Sequence, residues 1–449
     1  MTTRYAISGF VALFISLGLV LIGSGLLGTL LGVRMTIEAF PTQAIGLIAA
    51  CYSLGFIVAT RVCGPLIGEV GHIRSFAAFC AIAASSTLAH PLLINPWLWG
   101  IERIFYGFSM AGLFMVVESW LNSCTPQPFR GRILGVYGAV TYVGLGSGQF
   151  LLLTGSPAGF ELFSLAAMLS ALSLVPITLM RTISPEIITL RALRLRELYS
   201  VSPLGVVGAG ATGVINGSFL GMAPVFAKDI GFAQSSIAAL MGCTIIGGFL
   251  LQWPLGQLSD LYNRRLVIAV VAFAASLCSI GIVYAAGHSE YLVIALSLLW
   301  GGLAFSLYSI CAALANDLLE PTEVLGASAA LLLMYGIGLI LGPLLAAQTM
   351  AAVGPLGLFW TIAGAALWLS GYAAVCTWVG EPIKPEAAVR YRSVPRNTPY
   401  ATTLDPRSEP VQLELDFADP PHEPDVPESK PRIERTEVEG KNGASREWP

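Results

Sequence analysis

Gly64-Pro65-Leu66-Ile67-Gly68-Glu69-Val70-Gly71-His72 returns 192 residues later as Gly256-Gln257-Leu258-Ser259-Asp260-Leu261-Tyr262-Asn263-Arg264, each time at the end of a long apolar stretch. The same shift lays Ser24-Gly25 on Asn216-Gly217 and Gly32 on Pro224. Further along the shift becomes 195, which pairs Gly131 with Gly326 and Ser147 with Gly342. Any one of these matches is weak. A near-constant shift across most of a half marks an internal repeat. The chain reads as one unit written twice.

Each unit is apolar. Of the 449 residues, 55% are hydrophobic and 11% are charged, with a net charge of -3. Soluble domains carry about 25% charged residues. This composition fits a polytopic membrane protein and excludes an ordinary soluble enzyme or a nucleic-acid binder. A spanning helix needs about 20 mostly apolar residues. Twelve stretches qualify, near 8–31, 43–67, 75–94, 97–121, 132–154, 160–180, 203–227, 235–257, 266–287, 291–315, 326–350 and 356–379. Turn chemistry separates several of them, at Phe40-Pro41-Thr42, Asn95-Pro96, Gly155-Ser156-Pro157 and Gly354-Pro355. The first span is expected to be a retained helix, because no small-residue cleavage site follows it. The expected fold is all-α: twelve transmembrane helices in two six-helix bundles, 1–180 and 203–380, joined by a basic linker, 181–202.

Charge gives the orientation. Arg4, Arg74, Arg130, Arg132, Arg181, Arg191, Arg194, Arg196, Arg264 and Arg265 fall on the side of the termini, whereas only Arg34 and Lys228 fall opposite. Arginine and lysine accumulate on the cytoplasmic side. Both termini should therefore be cytoplasmic, in an inner or plasma membrane. Residues 381–449 hold 24 of the 51 charges and 12 of the 27 prolines. Such a tail buries too little apolar surface to offset its ordering entropy, and disorder is expected.

The motifs carry a resemblance. Gly256-x-Leu258-Ser259-Asp260-x-x-Asn263-Arg264-Arg265 resembles the loop motif of the major facilitator superfamily, and Arg103-x-x-x-Gly107 is similar to its fourth-helix motif. Val116-Val117-Glu118-Ser119 with Arg130-Gly131-Arg132, Gly71-x-x-Arg74-Ser75 and Gln252-Trp253-Pro254-x-Gly256 resemble a bacterial branch called YcaD-like. In the first half the loop aspartate is replaced by Gly68, with Glu69 one residue on, so the loop motif is whole only at Asp260. The resemblance implies a secondary transporter whose first, fourth, seventh and tenth helices line a central cavity. It implies a membrane-embedded monomer moving a small organic solute by alternating access, with protons as the favoured coupling ion and export as the first direction.

The candidate site follows. Along the four lining helices, Ser24, Tyr106, Ser109, Asn216, Ser306 and Tyr308 are the mid-depth polar or aromatic residues, and Arg103 is placed to meet an anionic group. The alternative for each serine is a bond to its own helix. Charges inside the hydrocarbon cost a few kcal/mol each. Only Arg61, Glu102, Arg103 and Glu118 are so placed, all in the first half. An Arg61–Glu118 pair is expected from their similar depth, and Glu102 is an alternative partner for Arg103. Cytoplasmic latches across the halves are expected from Asp260 to Arg130 or Arg132, and from Arg74 to Asp317, Glu320 or Glu323, with Arg264 beside them. No Gly-x-x-x-x-Gly-Lys-Ser/Thr loop is present, so no nucleotide is expected. The four histidines are scattered and the eight cysteines lie in apolar stretches; neither a metal nor another cofactor is expected. Two rivals use the same chain differently: a sensor or scaffold that signals through the tail, and a lipid flippase.

Overall fold

The structure is a computed structural model, and it describes residues 2–125, 129–179, 195–319, 323–379 and 398. No strand occurs among them. Twelve helices are long and apolar enough to cross a bilayer: Phe10–Ile37, Thr42–Val70, His72–Leu92, Pro96–Cys124, Arg130–Thr154, Glu161–Thr178, Pro203–Asp229, Gln234–Leu261, Arg264–Ala285, Glu290–Asn316, Gly326–Val353 and Gly357–Val379. They are the first to twelfth spans below. A short helix, Leu195–Val201, precedes the seventh.

Local chemistry sets the ends. The third and fourth spans nearly touch in sequence, and Asn95 separates them. Its side chain accepts from the backbone N–H of Trp97 at 2.9 Å, and Pro96 opens the next helix without needing a donor. Between the second and third spans Gly71 takes φ of 93°, a left-handed conformation that favours glycine. The large apolar side chains left exposed, such as Trp253, Leu261 and Trp378, suit a lipid-facing surface.

Packing repeats between the halves. The second span packs on the fourth as the eighth does on the tenth. The first packs on the fifth as the seventh does on the eleventh, and the third on the sixth as the ninth on the twelfth. Glycines make these contacts close. A Cβ at Gly55 or Gly107 would fall under 3.0 Å from the backbone of the facing span, at Ile104 and Tyr52; Gly247 and Gly301 repeat this against Leu298 and Thr244. Gly144 and Gly148 bring the fifth span onto the first. Gly213, Gly217, Gly338 and Gly342 bring the eleventh onto the seventh. In lipid no water is released between helices, so such backbone approach is what holds them. The four-residue glycine spacing is visible in sequence; the lone glycines Gly55, Gly247 and Gly301 are not so marked.

Across the halves, the second span meets the eleventh, the fifth meets the eighth and the first meets the seventh. Gly32 faces Pro224, its own repeat partner, as expected where equivalent elements meet at a pseudo-twofold axis. Gly46 lies against Ala347 and Pro343, Gly242 against Phe150, and the Gln234 amide donates to the carbonyls of Gly155 (2.8 Å) and Leu152. All these lie at the end opposite the termini. Tyr142 on Phe249, with ring centroids 5.8 Å apart, and Ile57 beside Gly336 lie midway. The halves are thus closed on each other from mid-depth to the end opposite the termini.

Candidate functional site

The Arg103 motif shows how sequence makes the site. Gly107 lets the backbone of the second span come onto the fourth at Tyr52. One helical turn earlier, the Arg103 guanidinium then sits over the Tyr52 ring, 4.6 Å from its centroid, and 5.6 Å from that of Tyr106. The two rings are 6.2 Å apart. The negative faces of both tyrosines hold a cation without an acid beside it. The Tyr106 hydroxyl lies beside Ser24 of the first span. Ser24 is half-buried, and Gly28, one turn on, is exposed with nothing within 4 Å of the place a Cβ would take. Ser24, Arg103 and Tyr106 are therefore brought together, and Tyr52 joins them. Tyr52 was not legible as a site residue, because a tyrosine in an apolar helix reads as packing.

The second half answers with neutral groups. Asn216, fully buried in the seventh span, donates from Nδ2 to the Tyr335 hydroxyl at 3.2 Å. Tyr335 lies on Tyr308, ring centroids 4.8 Å apart. Asn216 Oδ1 is buried and has no hydrogen-bond partner among the described residues. Tyr335, from the eleventh span, is the partner that an amide in mid-span needed and that sequence did not name. Ser109 and Ser306 donate to their own helices, at the carbonyls of Phe105 (2.9 Å) and Gly302 (2.5 Å). Those two hydroxyls take the alternative stated for them. Gly107 and Gly301 are structural equivalents, so Arg103 corresponds to Ser297 and Tyr106 to Trp300. Tyr106 and Tyr308 share equivalent helices at different depths.

Two expected pairings change. Glu118 is fully buried, yet its partners are Tyr137 of the fifth span, whose hydroxyl donates to Oε1 at 2.5 Å, and Thr398, whose hydroxyl donates to Oε2. Arg61 is exposed and pairs with no acid among the described residues. Depth was right and azimuth wrong. Gly55 marks the face of the second span that meets the fourth, and Arg61 lies six residues on, about 240° round the helix. Glu102 pairs with His90 of the third span, Nδ1 to Oε2 3.3 Å, and not with Arg103. The same His90 nitrogen lies 2.6 Å from the Ser86 carbonyl, so it is the protonated one.

At the terminal side, Asp260 and Asp317 both engage Arg264, at 2.9 and 2.7 Å. This cluster ties the eighth, ninth and tenth spans within the second half. Arg264 is 3% exposed and starts the ninth helix four residues after Asp260, which places its guanidinium between the two acids. The expected Arg74–Asp317 latch is absent: Arg74 is exposed, with no acid paired to it among the described residues. Arg132 is exposed and lies over Phe129. Arg130 is half-buried where the fifth span begins, and Glu323 precedes the eleventh helix. Glu320 lies outside the described residues, as does all of 381–449 except Thr398. All eight cysteines are free thiols, and no group of three or more His, Cys, Asp or Glu suited to a metal occurs among the described residues.

Twelve spans in two repeated halves that meet through the second and eleventh, fifth and eighth, and first and seventh spans are the plan of a membrane transporter. The chain belongs to the major facilitator superfamily, whose family model matches residues 13–312 and 205–411. Within it the chain is 30% identical over 329 residues to a Salmonella heidelberg (strain SL476) protein described as an uncharacterised MFS-type transporter, YcaD; the match covers 72% of this chain and 84% of that one. The Escherichia fergusonii protein of the same description is equally similar, 30% over 329 residues. Among solved structures, the nucleoside transporter NupG superposes with a TM-score of 0.65 at 16% identity, covering 85% of this chain and 100% of that chain. A bacterial homologue of the human lysosomal transporter Spinster, inward-facing and occupied, gives a TM-score of 0.67 at 14% identity, covering 85% and 98%. At these identities the two structures speak for the fold alone.

Proposed function

We propose that the chain is a secondary active transporter that moves a small amphipathic organic solute carrying an anionic group, by alternating access and with protons as the coupling ion. The observation that carries this reading is the Arg103 guanidinium held on Tyr52 and Tyr106 with no acid paired to it. A cation in that setting keeps its donors for a ligand anion, and the aromatic faces suit an apolar body. The tyrosine–asparagine cluster of the second half would take the neutral end. Contacts at the end opposite the termini support an inward-facing conformation, given both termini in the cytoplasm and the chain in the inner or plasma membrane. Export is the direction favoured. Residues 1–180 and 203–380 would rock as two bundles about the 181–202 linker.

A thermal-shift screen of the purified full chain across organic anions, cations, nucleosides and neutral drugs, at two pH values, tests this. A ligand that binds only the folded state stabilises it by RT ln(1 + [L]/Kd). The expected result is stabilisation by anionic amphipaths that disappears in Arg103→Gln. Stabilisation by cations that is indifferent to Arg103 would overturn the reading.

A further inference from the structure

Thr398 belongs to the polar, proline-rich C-terminal segment, yet it is fully buried and its hydroxyl bonds Glu118. A tail of that composition has no reason to bury one hydroxyl unless something receives it. What receives it is a carboxylate in the fourth span, six residues or about 9 Å from the terminal-side end of that helix. A buried carboxylate accepts several hydrogen bonds and is costly without them. Arg61 does not supply them. Tyr137 takes one oxygen and Thr398 the other.

We propose that Glu118 and Tyr137 form a docking site for the chain's own C-terminal segment, with Thr398 as the docked residue. Tyr137 reaches across from the fifth span, so the receptor bridges two helices that diverge from one short loop. The tail leaves the twelfth span, in the second half, and Thr398 docks on the fourth, in the first. The 19 residues from Val379 to Thr398 can span roughly 65 Å at about 3.4 Å each, so the crossing is easily reached. Tethering supplies an effective concentration in the millimolar range, which keeps even a weak contact populated. Glu118 thereby acquires a role without a proton or substrate: an acceptor for an internal ligand.

Benzoylphenylalanine placed at position 399 in the full chain leaves the Thr398 hydroxyl intact, and ultraviolet cross-links are mapped by mass spectrometry. The expected products join the tail to peptides of the fourth or fifth span, with yield falling at least fivefold in Thr398→Val and in Glu118→Ala, and kept in Thr398→Ser. Size-exclusion profiles confirm that each variant is folded. Cross-links to lipid or within the tail, or yields indifferent to Thr398→Val, would overturn the docking.

Discussion

The two halves share a scaffold and differ in chemistry. Gly55 with Gly107, and Gly247 with Gly301, bring the second and fourth, and the eighth and tenth, spans to backbone contact at equivalent places. The residue one turn before that contact is Arg103 in the first half and Ser297 in the second. Arg103 is held over two tyrosines; Ser297 is buried with no hydrogen-bond partner among the described residues. Rocking needs matched packing on both sides of an axis. Recognition needs only one side to carry charge. On the function proposed above, the repeat would supply the first and divergence inside it the second.

The hardest way to break this comparison is at the glycines. Gly107→Val and Gly301→Val each drive a side chain into the facing backbone. The expected cost is about 3 kcal/mol or more for each, because backbone cannot move aside as a side chain can. Thermal unfolding in detergent, with monodispersity as the control, should show similar losses for the two. A variant tolerated in one half alone would show that the packing is not truly repeated.

Next comes the charge. Arg103→Ala should weaken an anionic ligand about 10–100-fold, the range expected when a charge-assisted hydrogen bond worth about 1.5–3 kcal/mol is lost. Ser297→Ala, at the equivalent place, should change affinity less than about twofold. Calorimetric titration of both variants reads the difference. Equal losses would mean that the asymmetry seen in the structure does not govern binding.

The sequence carried the repeat, the twelve spans and the charge asymmetry, because all three are one-dimensional: period, run length and position. It named Ser24, Arg103, Tyr106 and Asn216 as candidates because the family resemblance implies which four helices face each other. It did not carry Tyr52 or Tyr335, since their value lies in which ring faces Arg103 or Asn216 across a helix contact. The expected Arg61–Glu118 pair failed for the same reason. Depth can be counted along a helix, but azimuth depends on which glycine face the neighbour uses. His90 read as one of four scattered histidines until the turn at Asn95 folded the third span back on the fourth. Thr398 lies 280 residues from Glu118, and no local pattern connects them.

A smaller effect sharpens the neutral side. Asn216→Ala removes the donor to Tyr335 and leaves that hydroxyl to find another partner. The net cost of one neutral hydrogen bond is about 1 kcal/mol. Because Asn216 Oδ1 is already unpartnered, Asn216→Leu should be no worse for thermal stability than Asn216→Ala, while both should weaken ligand binding a few-fold. A stability loss much larger for Ala than for Leu would point to a packing role only.

The mildest substitutions bear on coupling. Away from the span ends, the second half has no acid inside the membrane, so a transported proton has two carboxylates to choose from, Glu102 and Glu118. They are differently placed. Glu102 is 12% exposed at its side chain and faces His90, whereas Glu118 is fully buried and holds two hydroxyls. Glu102→Gln keeps the shape and leaves His90 its bond to the Ser86 carbonyl, so the stability change should stay under about 1 kcal/mol, as for other marginal ion pairs. Glu118→Gln can still accept one hydroxyl through its carbonyl oxygen. If Glu102 carries the proton, its Gln variant loses the pH dependence of ligand affinity and Glu118→Gln keeps it. If both variants keep it, the coupling ion is not a proton carried by either acid, and the charge in the first half serves binding alone.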